Sequence, residues 1–412
     1  MQKAVITGMG VVSPIGNDID TFWAAIKAGK SGVGPITRFD ATEFDSRIAA
    51  EVKDFDTSLY MDRKDARKMA LFTQFAVAAS VQAWRQAGLE GYGVDLERTA
   101  VVLGNGIGGI EIFEQSHAKL LESGPSRMLP LTVPMMIGNE AAGNVAIHFG
   151  IKGPALTTVT ACASGSDALG QALDMIRAGR ADVVVAGGTE GATSAFAVGA
   201  FCMLKALSTG YNDDPTKASR PFDAARDGFV IGEGAGVVIV ESEAHAKARG
   251  AGILVELAGY GASCDAYHIT APEPSGDGGA RAISLALKDA GLQPEAVAYY
   301  NAHGTSTQMN DPIETQMVKK AFGDHAKKMK VSSTKSMTGH MIAAAGAVEA
   351  IVCALAIRDG FFPPTINLET PDEACDLDYV PKVGVSGTID AAASGSLGFG
   401  GHNACVVLRK YP

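Results

Sequence analysis

The chain states its plan twice, and this repetition restricts its fold more than any other feature. Ala87-Gly88-Leu89 closes a helical stretch, after which an apolar run leads to Gly104-Asn105-Gly106; Ala290-Gly291-Leu292 closes another, whose apolar run leads to Ala302-His303-Gly304. Farther on, a helical stretch after Cys162 ends at Arg177-Ala178-Gly179, and one after His340 ends at Arg358-Asp359-Gly360. Glycine recurs at these ends because it takes the left-handed conformation that stops a helix. Two such series in the same order predict a duplicated unit, residues 1–250 and 251–412. Gly88 and Gly179 lie 91 positions apart, but Gly291 and Gly360 only 69, which places about 22 additional residues in the first unit, near 111–150.

Strand-like runs alternate with helical ones: Lys3 to Thr7, Ala100 to Leu103, Leu156 to Thr160, Asp182 to Ala186, Val237 to Glu241, Ile253 to Ala258, Val297 to Asn301, Val331 to Thr334 and Ala404 to Leu408. That alternation predicts a layered α/β fold. Hydrophobic residues make up 47% and charged ones 19%, as a packed enzyme requires and a disordered chain does not. The longest apolar stretch, Met341 to Ile357, is alanine-rich, interrupted by Glu349 and short for a membrane span, so it reads as a buried helix. Met1 to Val12 reads as a strand entering a turn rather than a secretion signal. The six cysteines form no Cys-x-x-Cys pair, which argues against a disulfide framework or structural zinc and suits a reducing cytoplasm. A net charge of −10 argues against nucleic-acid binding.

One basic cluster interrupts this acidic chain. Arg63, Lys64, Arg67 and Lys68 are spaced to pair along one helix face, either as an ordinary solvated surface or as a dock for an acidic partner. Gly104-Asn-Gly106-Ile-Gly108-Gly109 spells a dinucleotide motif, but no periodic helix opens there and no acidic residue follows at the end of a second strand. Such glycines suit tight turns and close backbone approach to a substrate.

Cys162 is the residue with the clearest chemical promise. An apolar run, Ala155 to Val159, gives way to a helical pattern carrying Leu169, Leu173 and Ile176, which puts the thiol at a helix start. Free backbone N–H groups and the helix dipole there favour thiolate. A free cysteine is otherwise an inert packing residue; His303 and His340 give it company. A zinc site of Cys and two His lacks a close ligand pair, and a cysteine hydrolase would need only one histidine with an orienting Asn or Asp.

Four motifs taken together carry a resemblance: Thr160-Ala-Cys162-Ala-Ser-Gly165, Asn301-Ala-His303-Gly-Thr305-Ser-Thr307, Lys335-Ser-Met-Thr-Gly-His340 and Gly398-Phe399-Gly400-Gly401. Across essentially its whole length the chain resembles the β-ketoacyl-acyl carrier protein synthases of the thiolase superfamily. The resemblance implies a thiolase-like, duplicated fold with a five-layered α-β-α-β-α core. It implies an acyl group carried on Cys162, condensation with malonyl-acyl carrier protein, and release of carbon dioxide, without an organic cofactor or a metal. The backbone N–H groups of Cys162 and Phe399 would hold the acyl oxyanion, and His303 and His340 the malonyl thioester oxygen. Lys335 would pair with Glu349, Thr305 and Thr307 would bind the pantetheine arm, and Ile107 would gate the acyl pocket.

Within the superfamily, several features select a branch. Cys405 lacks the Cys-x-Gly setting of a degradative thiolase, His340 stands where coenzyme A-primed synthases carry asparagine, and Cys162 separates the chain from nucleophile-free chain-length factors. These features, with Ile107, match the type II elongating synthases, implying a cytoplasmic homodimer served by acyl carrier protein, with Arg63 to Lys68 as its dock. A polyketide ketosynthase would use the same residues. Two departures stand out. Gly395-Ser396-Leu397 replaces Asn-Ser-Phe, removing an asparagine that helps build a monovalent cation site, and His402 replaces a threonine, so altered loop packing is expected.

Overall fold

The computed structural model describes residues 2–412. Its first five sheet strands are β1 (Ala4–Val12), β2 (Thr99–Gly104), β3 (Ala155–Thr158), β4 (Val183–Glu190) and β5 (Gly234–Ser242). Five more follow: β6 (Val255–Cys264), β7 (Tyr299–Asn301), β8 (Lys330–Ser332), β9 (Ala391–Gly398) and β10 (His402–Arg409). Their spatial order is β8-β7-β9-β10-β6-β1-β5-β4-β2-β3. Read outward from the centre, the first group runs first-fifth-fourth-second-third, and the second group runs the same way. Strand senses match as well: β5 lies antiparallel to β1 and β4, while β2 runs parallel to β4 and β3. In the second group β10 lies antiparallel to β6 and β9, while β7 runs parallel to β9 and β8. The groups meet where Ala4, Val5 and Ile6 pair antiparallel with Leu257, Glu256 and Val255.

Helices α1 (Leu71–Gln86) and α2 (Glu140–Phe149) cover the first group on its outer face. Between the two groups lie α3 (Ser164–Arg177) and α6 (Ala345–Asp359), with α4 (Asp277–Ala290) and α5 (Asn310–Phe322) outside the second. These are the five layers of a thiolase-like core. Its middle strands are buried on both faces, so β1 and the apolar part of β4 read as continuous runs rather than alternating ones. Helix α6 is buried from Ala345 to Ile357, where alanine lets both strand groups of the sheet and α3 approach it. At the starts of α3 and α6 the backbones touch: a Cβ on Gly165 would lie 2.9 Å from Ala347 N, and one on Gly346 would lie 2.9 Å from Ser166 N.

All nine strand-like runs lie in the sheet, but β9 escaped the sequence reading. Its residues, Ala-Ala-Ala-Ser-Gly-Ser-Leu-Gly, have little strand propensity; they are small because the strand is enclosed by neighbouring layers. Between β2 and β3 the chain forms helices at Ile110–Ser123 and Thr132–Met136 as well as α2, where the matching β7–β8 connection holds α5 and a short 3-10 turn. Among the described residues no helix is long and apolar enough to cross a membrane.

Candidate active site

Cys162 lies not in the first turn of α3 but in a 3-10 turn, Ala161–Ala163, that precedes it. Ala161 takes φ +51°, a left-handed conformation that disfavours an L-residue by roughly 1–2 kcal/mol. Hydrogen bonds over-determine that bend: Ser164 Oγ donates to the Ala161 carbonyl at 2.6 Å, and the Thr160 N–H donates to Ser164 Oγ at 2.9 Å. The thiol faces a cavity of about 520 Å³ whose walls include His303, His340, Phe399, Ile107, Thr305 and Thr307.

The second unit supplies both imidazoles. His303 follows β7, where the Glu314 carboxylate on α5 accepts the N–H groups of His303 and Gly304, each at 2.7 Å. His340 follows Gly339 (φ +64°), and its N–H donates to the Val230 carbonyl at 2.7 Å. His340 Nε2 lies 3.1 Å from Cys162 Sγ, and the two imidazole rings stand perpendicular with centroids 5.2 Å apart. Burial, assisted by the Lys335 ammonium, holds both histidines well below the usual histidine range. Lys335 is itself buried and ion-paired with Glu349 of α6.

The sequence-based expectation of a thiol lowered by a helix start is not met. Burial pushes Cys162 up to about 12; Lys335 and the N–H groups of Phe399 and Cys162 pull it down, while Glu190 adds to the upward shift. Desolvation outweighs the local dipoles, so ionisation of this sulfur needs a base in contact, and His340 Nε2 is in place to serve.

Phe399 follows directly on β9, and the last residue of that strand explains how it gets there. A Cβ on Gly398 would fall 2.6 Å from the Thr160 carbonyl oxygen and 3.2 Å from Cys162 N, so only glycine lets the strand end meet the nucleophile's turn. Two backbone donors, from Phe399 and Cys162, thereby converge beside the sulfur. Thr305 and Thr307 sit with their hydroxyls 3.1 Å apart, and Thr307 Oγ1 also accepts the Asn310 N–H, so they are turn hydroxyls as well as cavity wall.

The basic cluster departs from the expected long helix face. Only one helical turn, Arg63–Ala66, forms there, and Lys68 pairs back to Asp65 at 2.9 Å. Arg63, Lys64, Arg67 and Lys68 are nevertheless all exposed. The ligand atoms of Cys162, His303 and His340 lie within 4.8 Å of one another, a spacing open to a soft metal, but the Lys335 ammonium acts on all three and opposes a dication. An asparagine-built cation site does not fit at residue 395: a Cβ on Gly395 would lie 1.9 Å from the Tyr300 hydroxyl, which fills the space. His402 packs against Gly400 of the Phe399 loop, whose Cβ would lie 3.0 Å from the imidazole.

Two carboxylates at the site carried no sequence signal. Glu314 and Glu190 belong to none of the four motifs, and each acts by accepting backbone N–H groups of motif loops.

The models for the N-terminal and C-terminal domains of beta-ketoacyl synthase match residues 1–246 and 254–369. A 3-oxoacyl-[acyl-carrier-protein] synthase 2 from Coxiella burnetii is 51% identical over 409 residues, 99% of each chain. Another from Synechocystis is 50% identical over 410 residues, covering 100% of this chain and 98% of the relative. Among solved structures, a type II polyketide ketosynthase bound to its acyl-carrier protein aligns over the full length of both chains with TM-score 0.93 and 37% identity.

Proposed function

The chain belongs to the β-ketoacyl synthase family, and from that premise we propose that it elongates acyl chains by decarboxylative Claisen condensation on Cys162. The observation that carries this reading is the 3.1 Å contact of Cys162 Sγ with a neutral His340, beside a second neutral histidine and two converging backbone donors. The thiol proton passes to His340 Nε2 and the sulfur attacks the carrier-bound thioester; the carrier thiolate leaves and takes that proton back from His340, which returns to the neutral ring. Malonyl-acyl carrier protein then loses carbon dioxide. Its electron pair enters an enolate whose oxygen accepts from the N–H groups of His303 and His340, each neutral ring, His340 included once Cys162 is acylated, standing in the tautomer that carries its proton toward the cavity. The enolate carbon attacks the acyl-Cys162 carbonyl, and the oxyanion rests on the N–H groups of Cys162 and Phe399. Collapse expels the Cys162 thiolate, which takes up one proton from solvent to restore the thiol, and frees 3-oxoacyl-acyl carrier protein.

Lys335 is a positioning residue in this scheme, keeping both imidazoles uncharged while Glu349 balances its charge. Thr305 and Thr307 receive the pantetheine arm, and Ile107 borders the acyl chain. We read the chain as two units, 1–250 and 251–412, with the cavity between them and an insertion near 111–150. Exposed Arg63, Lys64, Arg67 and Lys68 suit an acidic carrier protein, and charge reversal there should weaken its binding in a salt-dependent way. A homodimer is supported by the sheet-edge strand β3, where Leu156 and nearby Val159 and Ile147 are exposed. Unpaired cysteines throughout suit the cytoplasm.

Intact-protein mass spectrometry after exposure to acyl carrier protein tests the reading: an acyl adduct that vanishes in Cys162→Ala supports it. Absence of any adduct would favour a noncatalytic partner subunit. The names of the sequence relatives favour fatty acid elongation, and the polyketide ketosynthase likeness keeps a second reading open, separated by assays with fatty acyl against aromatic-polyketide carriers.

A further inference from the structure

The contact of Gly165 with Ala347 and of Gly346 with Ser166 fixes a residue-by-residue correspondence between the units. In that register the turn Ala161–Ala163 matches the 3-10 turn Ile342–Ala344, and Ala161 at φ +51° matches Ile342 at φ +45°. Cys162 therefore corresponds to Ala343. Each turn is met by the end of a strand from the other unit, β9 ending at Gly398 and β4 at Glu190. At the Cys162 turn the strand end has no side chain, and the backbone donors are left for a substrate oxygen. At the Ala343 turn, Glu190 puts a carboxylate on the corresponding N–H.

That carboxylate is fully buried and, among the described residues, has no ion-pair partner. It accepts from Gly106 N at 3.0 Å, Ile107 N at 3.3 Å and Asn105 Nδ2 at 3.3 Å, in addition to Ala343 N. One side chain thus ties together two loops, one from each unit, and each loop places an isoleucine, Ile107 or Ile342, on the cavity wall. We propose that Glu190 is a positioning residue that fixes the gap between Ile107 and Ile342 and thereby sets which acyl chain lengths load onto Cys162. Burial pushes the Glu190 carboxyl up to about 8 against the pull of its N–H donors, and in its ionised form it raises the Cys162 thiol, so it works against ionisation of the nucleophile, and its contacts are those of a loop clamp. Glutamine keeps only one acceptor oxygen and turns an N–H₂ group toward N–H donors, so one loop must come loose.

The inference rests on acylation of Cys162, and its test compares rates of loading from dodecanoyl- and butyryl-acyl carrier protein by intact mass spectrometry. The ratio cancels any change in thiol reactivity. Glu190→Gln should lower the dodecanoyl-to-butyryl ratio about five-fold, because a loosened wall no longer holds the gap for a long chain while a short one does not reach it. In an Ile107→Ala background the same substitution should add little, since its effect passes through Ile107. Should Glu190→Gln not fold, Asn105→Ala removes one donor from the same carboxylate and should move the ratio in the same direction by less. An unchanged ratio, or an equal change in both backgrounds, would overturn the inference while leaving acylation of Cys162 standing. A wild-type protein that loads neither chain would overturn both.

Discussion

The two units share strand order, strand sense and a left-handed residue opening each 3-10 turn, yet one turn presents a thiol and the other an alanine. What separates them is the strand end that meets each turn. Gly398 leaves the N–H of Cys162 open to the cavity, whereas Glu190 occupies the N–H of Ala343. The middle helices differ likewise: α6 carries Glu349 to balance Lys335, where the register places Ala168 in α3. A duplicated scaffold has thus been divided into a unit that offers a nucleophile and a unit that offers proton donors.

Experiments that erase this division should have the largest effects. Cys162→Ala is expected to abolish condensation, and adding Ala343→Cys should not restore it, because the donor needed beside that sulfur already serves Glu190; an acyl adduct at residue 343 would break the comparison. Replacing His303 or His340 with alanine should lower the condensation rate by about 10²–10³, measured as carbon dioxide release from malonyl-acyl carrier protein. Glu349→Ala leaves Lys335 buried without its counter-charge and should destabilise the fold by about 3–5 kcal/mol in denaturant melts. Gly395→Ala forces a methyl against the Tyr300 hydroxyl and should cost about 1–3 kcal/mol, partly recovered by Tyr300→Phe.

The smallest expected effect concerns pH. Because both histidines are held well below the usual range, they stay neutral, and the acidic limb of the rate profile should lie below that of an ordinary histidine. Lys335→Met removes a cation that opposes their protonation. Both pKa values then rise, and the acidic limb should move upward in pH; a limb that stays in place would show that burial alone keeps the rings neutral.

Much of this was legible in the residues because it rests on local signals. Glycine-ended helices revealed the duplication, apolar runs marked nine strands, and motif cysteine and histidines converge on one cavity. Strand β9 was hidden because enclosure selects small residues there, overriding the propensity on which strand recognition depends. Glu190 and Glu314 were hidden because a carboxylate that accepts backbone N–H groups from a distant loop leaves no spacing rule in sequence. The elevated thiol was misjudged for a related reason: the turn before α3 is readable locally, but the desolvation that dominates it comes from layers far away along the chain.

The bend at Ala161 has a consequence for anyone redesigning this molecule. Glycine at that position would be more comfortable, and a search for heat resistance would readily select it. Glycine also has wider backbone freedom, which only the two Ser164 hydrogen bonds would then restrain, so the sulfur would be aimed less firmly at the His340 imidazole. Position 161 is one where thermal tolerance and aim oppose each other, and engineering for the first should leave it untouched.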